Sequence, residues 1–128
     1  MPEPRSITGL RAHLAGGAAE EQAERAYLAR GAKVLERRWR GEGGEVDLIV
    51  REGDVVVFVE VKSGRSRDAA LARITPAQMR RVQASAGLYL DREPAGALAG
   101  ALSEARIDVV LVFGTGEVEI LENAFGQG

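Results

Sequence analysis

Four charged side chains stand where chemistry can be done. Glu45 and Asp47 are two residues apart in Gly44-Glu-Val-Asp-Leu-Ile49, and Glu60 and Lys62 are two apart in Phe58-Val-Glu-Val-Lys62. Both runs read as β-strands, in which residues i and i+2 share a face. Between them, Glu52-Gly53-Asp54 is a turn signal, so the two strands form a hairpin. An even-numbered loop across Glu52-Gly53 sets Glu45 opposite Glu60 and Asp47 opposite Phe58, with all four polar groups on one side. Asp47 is then a diagonal neighbour of Glu60, roughly 7–8 Å away between Cα atoms. Two carboxylates across that gap can converge on one hard cation, whereas an odd loop would send the pairs to opposite faces.

The chemistry that wants this set is phosphodiester hydrolysis. It needs a cation to polarise the phosphoryl group and to lower the pKa of the attacking water. Magnesium suits one or two carboxylates with water and phosphate oxygens in its remaining positions, and manganese can substitute. A neighbouring lysine steadies the developing charge or the nucleophilic water. Composition singles out Lys62: of 17 basic residues only Lys33 and Lys62 are lysine. Arginine is a permanently charged fork, while lysine is a compact, tunable point charge. The plain alternative is a cross-strand ion-pair patch that solubilises a sheet face. Against it, Glu60 and Lys62 extend a strand whose preceding residues, Val55 to Val59, are all apolar. Charges in such a place are costly unless partnered or functional.

The elements that must position these groups follow from pattern. The 128 residues suit one domain, read as a loose arm over 1–16 and a single domain over 17–128. Ala18 to Arg30 has helical spacing in Ala19, Ala23, Ala26, Tyr27 and Arg30, with Gly31 as the stop. Ala32–Arg40, Val46–Val50, Val55–Val61, Ile107–Phe113 and Val118–Leu121 read as strands; the third, apolar at almost every position, is a central strand covered on both faces. Ser63 to Arg73 reads as a polar loop. Thr75-Pro76 starts a second helix that carries Met79, Val82, Ala86 and Tyr89 on one face. Residues 95–104 are ambiguous between short helix and loop. The order is α-β-β-β-α-β-β, an α/β fold with one mixed sheet and helices packed on it.

Composition also excludes. The chain has no Cys and one His, His13, which removes disulfides, Cys-ligated zinc and thiol catalysis and argues against a His-dependent triad. No apolar run approaches membrane-spanning length and the N-terminus carries no signal stretch, so the reading is a cytoplasmic protein without a membrane role. The net charge of −2 hides segregation: residues 1–40 carry +3, 41–62 carry −4, 63–92 carry +4 and 93–128 carry −5. An acidic hairpin between basic stretches is what a cation site beside a polyanion groove requires, though ordinary scatter of charge also produces it.

At these residues the chain resembles the PD-(D/E)xK nuclease superfamily, and more closely its YraN family of small bacterial proteins. The likeness rests on the two strand runs above, Glu21 with Ala26-Tyr-Leu28, Ile74-Thr-Pro76, Arg106-Ile-Asp-Val-Val110 and Asn123-Ala-Phe125, in that order. It implies a restriction endonuclease-like α-β-β-β-α-β core with a mixed central sheet flanked by helices. It implies a metal-dependent nuclease acting on DNA, including branched or repair intermediates. Asp47 and Glu60 would be the metal ligands, with the Val61 carbonyl as a further one, and Lys62 the catalytic lysine. Glu21 matches a helix-borne acidic residue that supports the metal site. Glu20 stands where the family commonly has Gly, which leaves open which glutamate faces inward. Gln78 occupies a position the family often fills with Lys, and is carried as a catalytic candidate against the alternative of an exposed polar group. The PD element itself is absent, and Glu45 is read as a second-shell or structural acid.

The arginines are candidates for phosphate contacts, which position a nucleic acid without reading bases. Arg65 and Arg67, just past Lys62, and Arg73 and Arg81 beyond them are the nucleic-acid-binding set. Many of the others, Arg37, Arg38, Arg40 and Arg80 included, can equally be plain surface charge. Trp39 can stack on a base or pack on the sheet. Cutting both strands of a duplex from one site would need a homodimer. Two non-catalytic readings stand beside the nuclease: a nucleic-acid-binding module on the same fold, and a protein-interaction domain whose acidic patch docks a partner.

Overall fold

A computed structural model describes residues 5–41, 43–92 and 104–124, and side chains over 17–41, 43–91 and 104–124. The elements are α1 (Arg5–Ala29), β1 (Lys33–Gly41), β2 (Gly44–Glu52), β3 (Val55–Gly64), α2 (Arg67–Leu71), α3 (Pro76–Arg92), β4 (Glu104–Phe113) and β5 (Glu117–Leu121). The five strands form one sheet in the order β1-β2-β3-β4-β5. β3 and β4 are parallel and every other neighbouring pair is antiparallel. The fold is therefore α/β with a mixed sheet, and no helix among the described residues is long and apolar enough to cross a membrane.

β3 is the central strand its composition demands. Val56 to Val59 are fully buried, with side chains divided between two cores. On one face Ala19, Ala23 and Tyr27 of α1 pack on Leu48, Val50, Val57, Val59, Val110 and Val112. On the other, Val82, Ala86 and Tyr89 of α3 pack on Val46, Ile49, Val56 and Phe58, while Met79 joins Ala70, Val109 and Leu111. Trp39 packs edge-on against Tyr89 with ring centroids 5.2 Å apart, so it belongs to this core and not to a base-stacking surface. Thr75 caps α3 as expected: its Oγ1 accepts from the Gln78 N–H at 3.1 Å.

Three expectations need revision. The 63–73 stretch is not all loop. β3 runs on to Gly64, and Ser66 caps the short helix α2 by accepting from the Ala69 N–H at 3.1 Å. Five residues are too few to show a helical period in sequence. The hairpin loop is Gly53-Asp54, with Glu52 paired to Val55 and Gly53 at a φ of +60°, where glycine is unstrained. This keeps the even loop but moves the register by two residues. Lastly, α1 opens at Arg5, inside the segment assigned to an arm, although the side chains of 5–16 lie outside the described set. The ambiguous 95–104 stretch lies outside the described residues except for Glu104, the first residue of β4.

A charged network ties α1, β4 and the chain end together. Asp108, fully buried, accepts from the Tyr27 hydroxyl at 2.7 Å, from Arg106 at 2.8 and 3.0 Å and from the Asn123 N–H at 2.9 Å. Arg106 also donates to Glu52 at 2.6 Å, and Arg30 meets Glu52 and Glu122. Every oxygen of this buried carboxylate is satisfied, which is the condition for keeping a charge in a core. Tyr27→Phe leaves Oδ2 with Arg106 alone and should cost about 1–3 kcal/mol in urea unfolding. Asp108→Ala, which also strands Arg106 and the Asn123 N–H, should cost about 3–5 kcal/mol. Equal costs for the two would show that Asp108 matters only through Tyr27.

Candidate active site

The site forms where β2 leaves β3. Pairing runs from Glu52↔Val55 to Leu48↔Val59 and stops. Continued, that register would set Asp47 against Glu60 directly and Glu45 against Lys62, in place of the diagonal arrangement expected. Instead the Asp47 carboxylate takes the next ladder donor, with Oδ2 accepting from the Val61 N–H at 2.8 Å. The pleat slips at the same point: Val46 packs on the α3 side and Leu48, two residues on, packs on the α1 side. Across β1, Arg38 lies between the pairs Arg37↔Leu48 and Trp39↔Val46 and holds a φ of +49°, uncommon for a residue with a Cβ. The β1–β2 turn is docked on α3, where the Ser85 hydroxyl donates to the Gly44 carbonyl at 3.1 Å. A Cβ at Gly43 would meet Ser85 Oγ at 2.8 Å and its backbone N at 2.9 Å, so only glycine allows the turn to lie there.

This opening makes a cavity of about 310 Å³ lined by Glu45, Asp47, Glu60, Val61, Lys62, Gln78, Arg81 and Val82. The expected four charged groups thus share one cavity. Glu60 is only 7% exposed. Burial first, then the hydrogen bond with Asp47 and the charge beside it, push its carboxyl up to about 9, against the opposing pull of Lys62. Gln78 is no exposed helix group, since its Oε1 is buried in this setting with no hydrogen-bond partner. Glu45 lies at the rim, 3.5 Å from Arg40 in an exposed ion pair.

The helix acid beside the site is Glu20 and not Glu21. Glu21 is 72% exposed and pairs with Arg25 at 3.5 Å. Glu20 is held by Arg38 at 3.1 Å, and its carboxyl is raised by burial and then by Asp47, with Arg38 opposing. Both glutamates line a second cavity of about 530 Å³ that reaches Asp47 from the α1 side. The signal was the Ala19-Ala23-Tyr27 stripe. Positions 20 and 24 flank a buried i, i+4 row and meet Arg38 and Arg37 on β1, while 21 turns a further 100° outward.

The arginines divide by partner. Arg37, Arg38, Arg40 and Arg106 are paired with carboxylates. Arg67 is paired as well, with both Glu119 oxygens at 2.6 and 3.0 Å, so it is a brace between α2 and β5 and not an open phosphate contact. Among the described residues Arg65, Arg80 and Arg81 form no ion pair, and Arg73 donates only to the Ser63 carbonyl at 3.3 Å. Arg81 lines the site cavity; Arg65 and Arg73 line a groove beyond Lys62.

Among the described residues no group of three or more Asp, Glu or His side chains is arranged to hold a metal ion alone. A site here would therefore rest on Asp47 and Glu60 with oxygens from elsewhere, which is the sparse set magnesium accepts.

The buried Glu60 carboxyl gives the protein a pH signature. Because the native Glu60 carboxyl is raised, the folded state binds more protons than the unfolded chain between glutamate's ordinary value and about 9. Stability is then present at acid pH and lost as pH rises through that window. Glu60→Gln removes the effect. In EDTA, the variant should gain on the wild type by at least about 1 kcal/mol in urea unfolding between pH 5 and pH 9. Parallel profiles would mean that Glu60 is not held protonated.

Comparison with known sequences agrees with the narrower part of that likeness, the YraN group. A family profile described as "Uncharacterised protein family UPF0102" matches residues 19–112, from Ala19 of α1 into β4. A UPF0102 protein of Ruegeria sp. strain TM1040 is 57% identical over 128 residues, covering 100% of both chains. One from Ruegeria pomeroyi is 51% identical over 120 residues, 94% of each chain. One from Dinoroseobacter shibae is 51% identical over 123 residues, 96% of this chain and 89% of its own. The matched span holds both strands of the site hairpin, the helix acid and the α3 cap, and with relatives this similar over 89–100% of their own length the chain belongs to the UPF0102 family, the YraN-like group.

Proposed function

We propose that the protein is a metal-dependent nuclease of the PD-(D/E)xK type that hydrolyses phosphodiester bonds in DNA. The observation that carries this reading is the Asp47–Glu60 pair: two carboxyls brought together at a buried strand end, with Lys62 in the same cavity. As a purely structural pair it is poorly designed, because Asp47, Glu45 and burial all disfavour charge on Glu60 and only Lys62 offsets them. A divalent cation reverses that balance. The residues fit such an ion: Asp47 and Glu60 would hold it, with the Val61 carbonyl adjacent.

When bound, magnesium or manganese would polarise a phosphoryl oxygen and lower the pKa of a water. Lys62, the one ammonium in the cavity, balances charge that develops on the phosphoryl oxygens or holds the attacking water. Gln78 offers a carboxamide with a vacant acceptor, suited to orient that water or a substrate oxygen. Arg81 contacts the phosphate next to the cut. Glu20 and Glu45 shape the field around Asp47 without entering the ligand pair.

The test uses purified protein with single-stranded, duplex, flap and four-way-junction DNA, and with RNA, in magnesium or manganese. Cleavage should require the metal. Asp47→Ala and Lys62→Ala should each lower it by about a hundredfold or more while circular dichroism stays native. The metal should also raise the midpoint of unfolding of the wild type, most at alkaline pH, and not that of Asp47→Ala. Binding without cleavage by the wild type would favour a non-catalytic nucleic-acid module. Neither binding nor cleavage would favour a protein-docking domain.

A further inference from the structure

The site cavity has a neighbour on the opposite face of the sheet. Along β3, Phe58, Glu60 and Lys62 face α3, whereas Val57, Val59 and Val61 face α1. Ser63 continues the second row and is paired with Val112, which also packs on the α1 side. There Ser63 opens on a groove of about 560 Å³, lined by Ala18 and Gln22 of α1, by Val112, and by Arg65 and Arg73, and closed by the Gly114–Gly116 turn. The groove has apolar walls, three amide or hydroxyl side chains (Gln22, Ser63 and Thr115), and two arginines without a carboxylate partner among the described residues. The catalytic mechanism proposed above uses none of these groups.

Its backbone is already committed. Gly114 N–H donates to the Arg65 carbonyl at 3.2 Å and Gly116 N–H to the Phe113 carbonyl at 3.1 Å. The Thr115 N–H donates to Glu117 at 2.8 Å. The three N–H groups of the turn are therefore used, and what it leaves for a ligand is side-chain chemistry: cations for an anion and apolar wall for a flat, partly apolar group. That combination matches a nucleotide, with its phosphate on the arginines and its base on the wall.

We propose that this groove takes an unpaired nucleotide adjacent to the scissile phosphate, so that the preferred substrate carries a single-stranded segment beside the cut. The inference rests on the nucleic-acid reading of the site and narrows it. Lys62 and Ser63 are consecutive but open on opposite faces, so a strand that reaches both cavities must turn around the end of β3. A duplex, with a persistence length of about 150 bp, cannot fold over a strand end within a step or two. A single strand can. The arginines fit the same path, because Arg81 lines the site cavity and Arg65 and Arg73 line the groove, while Arg67 is neutralised by Glu119.

The experiment measures binding in EDTA, so that no cleavage intervenes. Fluorescence anisotropy compares a blunt duplex with the same duplex carrying a short single-stranded overhang on either end. The overhang should bind about tenfold or more tightly than the blunt duplex at fixed salt. Arg65→Glu, a change at an exposed side chain, should bring the overhang-to-blunt affinity ratio to within about threefold of one, as should the milder Arg73→Gln. Equal affinity for both DNAs, no binding to either, or an equal loss on both in Arg65→Glu would overturn the groove. The outcome is separable from the nuclease reading. Overhang preference without metal-dependent cleavage refutes only catalysis, and cleavage without overhang preference refutes only the groove.

Discussion

Everything at the candidate site depends on the place where the β2–β3 ladder opens. Beyond Leu48↔Val59 the Val61 N–H is received by a side chain, Asp47, instead of a backbone carbonyl. That substitution keeps the donor satisfied while the strands part, which is what lets a cavity form at the end of a sheet without orphaning its backbone. The cost is local: Arg38 is held at positive φ across β1, and Gly43 and Gly44 are required where the turn lies on α3. Irregularities of this kind at a strand end re-aim side chains. Here they turn Asp47 toward Glu60 and Arg38 toward Glu20.

The register shift between expectation and structure shows what sequence can and cannot supply. The even hairpin loop was legible, because Glu52-Gly53-Asp54 sits between two apolar runs, and it put Glu45, Asp47, Glu60 and Lys62 in one cavity. Which two residues form the turn was legible as well, since a two-residue hairpin loop favours glycine in first place, as in Gly53-Asp54, and the register taken from Glu52-Gly53 passed over that preference. The same register, with Glu52 paired to Val55, lets Glu52 reach Arg106 and Arg30 in the Asp108 network, so the local turn and the long-range ion pairs agree. The α3 cap and its apolar face were readable in full, because capping and helical periodicity are local. The choice of Glu20 over Glu21 was readable in principle from the 19-23-27 row, but a resemblance aligned by type favoured the other glutamate. The partner of Arg67 was not readable at all, since Glu119 lies 52 residues away.

Regional charge sums pointed to basic stretches on both sides of an acidic hairpin, and the structure gives the two stretches different roles. Those in β1 are largely spent on α1: Arg37 and Arg38 meet Glu24 and Glu20 and fix the helix over the sheet. Those after β3 are largely unspent, with Arg65, Arg80 and Arg81 unpaired among the described residues. The same residue type, in the same chain, is a brace in one place and an open cation in the other. Counting arginines could not distinguish the two; following their partners does.

A parallel contrast separates the two buried carboxylates of the sheet. Asp108 and Glu60 lie on adjacent parallel strands, both nearly inaccessible. Asp108 accepts from a tyrosine, an arginine and a backbone N–H, so its charge is answered by donors already in the protein. Glu60 is answered chiefly by another acid, and keeps its place by holding a proton. A fold optimised for stability alone would treat both alike, for instance by replacing Glu60 with an apolar residue to match Val56 and Phe58. Retained mismatch of this sort is where local rules yield to function. The mismatch at Glu60 also has a definite sign: two carboxyls share one strand end, and the proton on Glu60 supplies the neutralisation that the cation of the proposed function would supply.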